Sequence, residues 1–229
     1  LHFEQLFKIL ELIGKDWAKN CKHITHGLYL DNDGKKFSTR KGKTVFMEDI
    51  INESRALASK EILKREPKIK KKELEERANT IALAAILYGD LKNYRANDMV
   101  FDIERFTSFE GDTGPYLLYS YVRAKSILEK AKFNPKKKYS THNLNDLEKN
   151  LVLQLSKFPQ IVKNAYGGLS PNTIANYIFE TSQVFNEFYH SNPVIGSENE
   201  QFRLVLVDSF SQVVKNALSL LGIPTTEKM

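Results

Sequence analysis

From Phe101 onward the sequence offers the backbone almost nothing but helices. Apolar residues recur there at three- and four-residue steps, and most periodic stretches carry their own start or stop signal. Thr113-Gly114-Pro115 puts proline at the first helical position, where its missing N–H costs nothing, of a helix running to about Ala131. Asn145, followed three residues later by Glu148, has the pattern of a reciprocal cap. Ser170-Pro171 repeats the cap-then-proline signal before a helix ending near Ser191. Ser197 with Glu200 predicts another capping box, and Gly222 ends the last helix. Several helices with short connections make a bundle.

The first hundred residues read differently. Phe3, Leu6, Phe7, Leu10, Ile13 and Trp17 share one helix face, with Gly14 near its end. His23–Leu30 reads as a short strand. Residues 47–66 predict a helix that stops before Pro67, because the residue before a proline is pushed out of helical conformation. A further helix over about 71–88 turns Leu74, Ala78, Ile81, Ala85 and Ile86 inward. Helix, strand and loop therefore alternate up to residue 100, as in the tail of an α/β domain. The expected fold is mainly α, with 1–100 as that tail and 101–229 as the helical bundle.

Composition removes several function classes. No apolar run approaches the roughly 18 residues of a membrane span. The N-terminus lacks the basic region and cleavage site of a signal peptide. A single cysteine, Cys21, forbids an internal disulfide or a Cys-based zinc cluster, and fits a cytoplasmic location. His23 and His26 sit three apart on the expected strand, hence on opposite faces and without a third ligand, so no metal site is expected. The chain does not begin with Met and reads as a piece of something longer.

Charge is concentrated rather than spread. The net charge is +6, and residues 15–43 hold eight basic and three acidic side chains, so nearly all the excess lies there. Within them, Asp31-Asn32-Asp33-Gly34 is a turn-forming run that leads into Lys35-Lys36-Phe37-Ser38-Thr39-Arg40-Lys41-Gly42. Cationic donors, two hydroxyls and a glycine suit a ligand with several phosphate oxygens. By itself the loop is equally the composition of a solvated surface loop.

On the helix opening at Pro115, Tyr116, Tyr119 and Arg123 fall at i, i+3 and i+7. Aromatic stripes at helical spacing are usually core. Here Leu117, Leu118, Tyr121 and Val122 can fill the inward face, which leaves two phenols and a guanidinium free as a platform for splayed bases.

Two blocks resemble one family, the arginyl-tRNA synthetases, which are class I aminoacyl-tRNA synthetases. Lys36–Gly42 is similar to that family's form of the class I KMSKS loop, with Phe37 where methionine is usual and Thr39 in place of the second lysine. Ser108-Phe109-Glu110-Gly111-Asp112-Thr113-Gly114-Pro115-Tyr116-Leu117-Leu118-Tyr119 resembles the opening of the family's anticodon-binding domain, and Leu221–Met229 resembles its C-terminal end. The resemblance implies a Rossmann-type catalytic domain followed by an all-helical anticodon-binding bundle. It implies a ligase that activates arginine with ATP, accompanied by Mg2+, and transfers it to tRNA(Arg). Lys36, Ser38, Thr39, Arg40 and Lys41 would then act on the ATP phosphates, with Phe37 against the nucleotide. Tyr116, Tyr119, Arg123, Tyr189 and Met229 would meet the anticodon loop. No HIGH signature occurs in these residues, so the resemblance implies the C-terminal part of the enzyme, inert alone, with a monomeric parent and no membrane partner. The competing expectation is a non-catalytic RNA-binding or scaffolding protein derived from a synthetase tail.

Overall fold

The structure, a computed structural model, describes residues 1–31, 33–36, 46–139 and 143–229. Helix α1 spans His2–Leu12 and stops where Gly14 takes a φ of +80°, a conformation that side chains with a Cβ resist. Trp17, expected on that helix, instead lies in a 3₁₀ turn over Asp16–Asn20. The apolar stripe of α1 stays largely exposed, with Phe3 stacked on His23 at 4.1 Å.

The strand expected over His23–Leu30 is reduced to its last two residues. Strand β1, Tyr29–Leu30, pairs in parallel with β2, Met99–Val100. A partner of two residues supports a strand of only two. The residues before β1 are held by other means: Gly27 N–H donates to the Arg95 carbonyl at 2.7 Å and Leu28 N–H to Asp98 Oδ1 at 2.7 Å. A Cβ on Gly27 would overlap the Asn97 carbonyl, so only glycine allows the two segments this close.

Parallel strands need a long crossover, and here it is helical. Helix α2, Met47–Arg65, ends ahead of Pro67 as the sequence predicts, and α3, Lys71–Leu91, runs almost a turn beyond its expected end at 88. Tyr88 at the expected end and Gly89 in the added turn are both buried. Arg77 of α3 is buried and reaches back to Glu66 at 2.8 Å and to Glu73, closing the α2–α3 connection. A short helix, α4 over Ile103–Thr107, is capped by Asp102 and lays Phe106 against Gly89.

The bundle then follows. Helix α5, Gly114–Lys130, is capped by the Thr113 hydroxyl, which accepts from Tyr116 N–H at 3.2 Å; Pro115 is its second residue rather than its first. Helix α6, Asp146–Ser156, carries both halves of the capping box predicted at Asn145 and Glu148. Helix α7, Phe158–Gly168, ends at Leu169 in left-handed conformation. Helix α8, Asn172–Ser191, is not capped by Ser170. That hydroxyl donates to the Gly168 carbonyl and accepts from Arg95, because α7 ends too close for it to reach forward. Nor does Ser197 cap α9, Glu200–Leu220: it donates to the Val194 carbonyl, while the Glu200 carboxylate accepts from Gly196 N–H. Gly222 at φ +71° closes the helix as expected.

Phe185 of α8 and Phe210 of α9 stack at 3.8 Å in the middle of the core, with Leu117, Leu118, Leu151 and Ile178 around them. The same core takes in Ala58 and Ile62 of α2 and Ile81 and Tyr88 of α3, so burial is continuous across residue 100. The fold is mainly α: one short parallel strand pair joined by a helical crossover, followed by a helical bundle.

Candidate nucleic-acid interface

The C-terminal turns of α5 and the last turn of α8 face each other across a groove of about 690 Å³. The buried side of α5, Leu117, Leu118, Tyr121 and Val122, holds that helix in place and turns Tyr119 and Arg123 outward. Tyr119, Arg123 and Lys130 of α5, Tyr189 and His190 of α8, and Met229 line the groove. Three of the residues expected from the spacing or the resemblance, Tyr119, Tyr189 and Met229, thus meet Arg123 in one place.

Arg123 is fixed rather than free. Its guanidinium donates to Asn186 Oδ1 at 2.7 Å, while Asn186 Nδ2 donates to the Tyr116 hydroxyl at 2.8 Å and to Ser120 Oγ at 3.1 Å. So held, the Arg123 cation lies 4.8 Å from the centre of the Tyr119 ring and 5.5 Å from that of Tyr189, within reach of both rings. Tyr189 is backed in turn by the nearly parallel ring of Phe185. Tyr119 keeps 37% of its surface exposed, enough for an incoming ring to cover. Among the described residues no acidic side chain lines the groove, whereas Arg123 and Lys130 do. Aromatic faces, a fixed guanidinium and a lining without acidic side chains form a surface that can stack bases and hold phosphates.

Tyr116 has a different place from the one its spacing suggested. It is half-buried, its ring packs on Phe179 at 5.7 Å, and its hydroxyl is taken by Asn186. It supports the groove from behind and joins Tyr119 and Arg123 in lining an adjoining hollow of about 290 Å³ beside Phe109 and Glu110. Asn186 was not singled out in the sequence, although its position three residues before Tyr189 puts both on one face of α8. His190 and Lys130 carried no signal beyond such spacing.

The described start of the basic loop, Lys35 and Lys36, lies elsewhere. Asp31 Oδ1 accepts from the backbone of Asp33 and Lys35, Gly34 adopts φ +72°, and Lys36 bridges back to Leu30 at the end of β1 with its side chain exposed. Phe37, Ser38, Thr39, Arg40 and Lys41 lie outside the described residues. His23 and His26 are not on a strand, so the opposite-face reasoning does not apply to them; His23 is engaged by Phe3. Among the described residues no group of three or more potential ligands is placed to hold a metal, and no helix is long and apolar enough to cross a membrane.

Comparison with known proteins is in keeping with this arrangement. Residues 1–103 match the catalytic domain of class I (R) tRNA synthetases, and residues 117–229 match the DALR anticodon binding domain. The chain is 39% identical to the arginine–tRNA ligase of Halothermothrix orenii, covering 100% of this chain and 40% of that protein. It is 41% identical to the enzyme of Clostridium perfringens, covering 100% of this chain and 41% of the relative. The chain therefore spans about two fifths of the length of these curated relatives. Among solved structures, Thermus thermophilus arginyl-tRNA synthetase superposes with a TM-score of 0.83 at 28% identity, over 96% of this chain and 38% of that one. The Plasmodium falciparum arginyl-tRNA synthetase gives 0.82 at 28% identity, over 100% of this chain and 39% of that one.

Proposed function

This chain belongs to the arginyl-tRNA synthetase family, and we propose that it forms the C-terminal part of an arginine–tRNA ligase. The whole enzyme activates arginine with ATP, releasing pyrophosphate, and transfers the arginyl group to tRNA(Arg). Residues 1–100 complete the catalytic domain and residues 101–229 grip the anticodon loop. The observation that carries this reading is the groove in which Arg123, fixed by Asn186, serves both Tyr119 and Tyr189 beside Met229.

Splayed bases stack on the phenols of Tyr119 and Tyr189, while Arg123 and Lys130 meet the strand's phosphates. Tyr116 sets the position of Asn186, and through it that of Arg123. At the other site Lys36, Ser38, Thr39, Arg40 and Lys41 donate to the negative charge that grows on pyrophosphate as the arginine carboxylate attacks the α-phosphorus. That is electrostatic stabilisation rather than proton transfer. Phe37 lies against the nucleotide, and Mg2+ arrives with the ATP phosphates. The enzyme acts as a monomer in the cytoplasm.

The test is Tyr119→Ala in the full-length enzyme. A lost base stack, worth about 1–3 kcal/mol, raises KM for tRNA(Arg) roughly tenfold and leaves kcat at saturating tRNA near its original value. An unchanged KM would return Tyr119 to a purely structural role.

A further inference from the structure

Tyr119 is served by a second guanidinium, and it comes from α2 rather than from α5 or α8. Arg65 is the last residue of α2, the helix that begins five residues beyond Gly42 of the basic loop. Its guanidinium lies 4.9 Å from the centre of the Phe109 ring and 6.0 Å from that of Tyr119. Phe109 is half-buried and packed on the core, so the ring against which Arg65 rests is itself fixed. Tyr119 is thus shared between Arg123 of its own helix and Arg65 of α2. Arg65 lies outside residues 117–229, which match the anticodon-binding domain.

The charge around Arg65 decides what it can do. It lines a hollow of about 470 Å³ in which Lys60 and Arg65 face Glu61, Glu104 and Glu110, three formal negative charges against two positive. Lys64, on the same helix, pairs with Glu61, so the surround is close to neutral and draws a phosphate only weakly. A cation held between two aromatic faces there is suited to orienting a ring. It is poorly suited to binding a polyanion.

We infer that Arg65 is a positioning residue: it holds the Tyr119 ring at the angle at which an RNA base stacks, making the anticodon platform depend on α2. The inference rests on the reading of the groove as the tRNA surface.

The experiment is a double-mutant cycle in the full-length synthetase, with KM for tRNA(Arg) and kcat measured for Arg65→Met, Tyr119→Ala and the pair. Methionine keeps much of the aliphatic packing and removes the charge. Arg65→Met is expected to raise KM about threefold to fivefold, with kcat at saturating tRNA unchanged, and Arg65→Lys to recover part of the loss. In the Tyr119→Ala background Arg65→Met should have no further effect, because the ring it orients is gone. Additive effects, or a flatter dependence of tRNA affinity on salt in Arg65→Met, would mean direct phosphate contact and overturn the proposal. No change in Arg65→Met, while Tyr119→Ala raises KM, would overturn it alone. No change in Tyr119→Ala would remove the groove reading, and this inference with it.

Discussion

The hydroxyl of Tyr88 donates to the carboxylate of Asp112 across 2.6 Å, tying the end of α3 to the loop that starts α5. Tyr88 is fully buried, and its hydroxyl also lies 3.2 Å from the Ala175 carbonyl of α8. Lys92 adds contacts to the same aspartate at 3.0 Å and to its carbonyl at 2.6 Å. One phenol therefore joins the helical crossover to two helices of the bundle, so Asp112 does more than introduce a helix.

Tyr88→Phe removes that donor without leaving a cavity. The expected loss is about 1.5–3 kcal/mol of unfolding free energy, the cost of a hydrogen bond to a charged acceptor. Burial first, then the bond to Asp112, push the Tyr88 phenol well above its ordinary pKa of 10.0. Below pH 10.0 the folded and unfolded chains both keep the proton, and the contribution is constant. Above it the unfolded chain ionises first, binds fewer protons, and stability falls as pH rises. Urea unfolding from about pH 8 to about pH 11 should show this alkaline decline, and Tyr88→Phe should make it shallower. An unaltered slope would place the titration elsewhere.

Gly114→Ala should be among the most damaging small substitutions. An added Cβ would overlap the carbonyl oxygen of Ala84, and since both are backbone the two helices must separate. Overpacking of a buried helix contact costs roughly 1–3 kcal/mol and occasionally more. Thermal unfolding would measure it, and a variant as stable as the parent would mean that α3 and α5 do not pack this closely.

Glu148 and Arg203 form a buried ion pair at 2.8 Å, their side chains 1% and 11% exposed. The glutamate also closes the α6 cap, and Arg203 donates to the Pro193 carbonyl at 2.7 Å. Arg203→Met takes the guanidinium away from a buried carboxylate. The expected destabilisation is about 3–5 kcal/mol, far above that of Lys149→Met in the exposed pair with Asp146, where about 0–1 kcal/mol is at stake. Chemical denaturation of the two variants side by side checks the contrast.

Lys36→Ala combined with Arg40→Ala in the full-length enzyme tests the phosphate loop. Removing donors aimed at developing charge should slow pyrophosphate exchange by about 10²-fold or more, while tRNA binding stays near normal. Exchange at the parent rate would show that these cations do not reach ATP.

Helices α2, α3, α5 and α6 were legible because their determinants are local. Proline and cap geometry, Thr113 on Tyr116 N–H and Asn145 with Glu148, act within a turn and need no distant partner. Local signals failed where another partner, near or distant in sequence, competed for the same group. Ser170 and Ser197 spend their hydroxyls on carbonyls behind them, and the strand at His23–Leu30 shrank to match a partner some 70 residues away, a length set by β2 rather than by its own residues.

The groove divides in the same way. Sequence alone determined that Tyr119 and Arg123 share a helix face, because 3.6 residues per turn fixes that geometry. It likewise determined that the basic residues cluster before α2. Only the tertiary structure decided that Asn186 and Tyr189 would arrive from α8 to clamp Arg123, that Tyr116 would turn inward as a buttress, and that Arg65 would reach Tyr119 from across residue 100. Contacts between helices depend on how buried faces fit together in three dimensions, and no spacing along one helix encodes which residue of another will meet it.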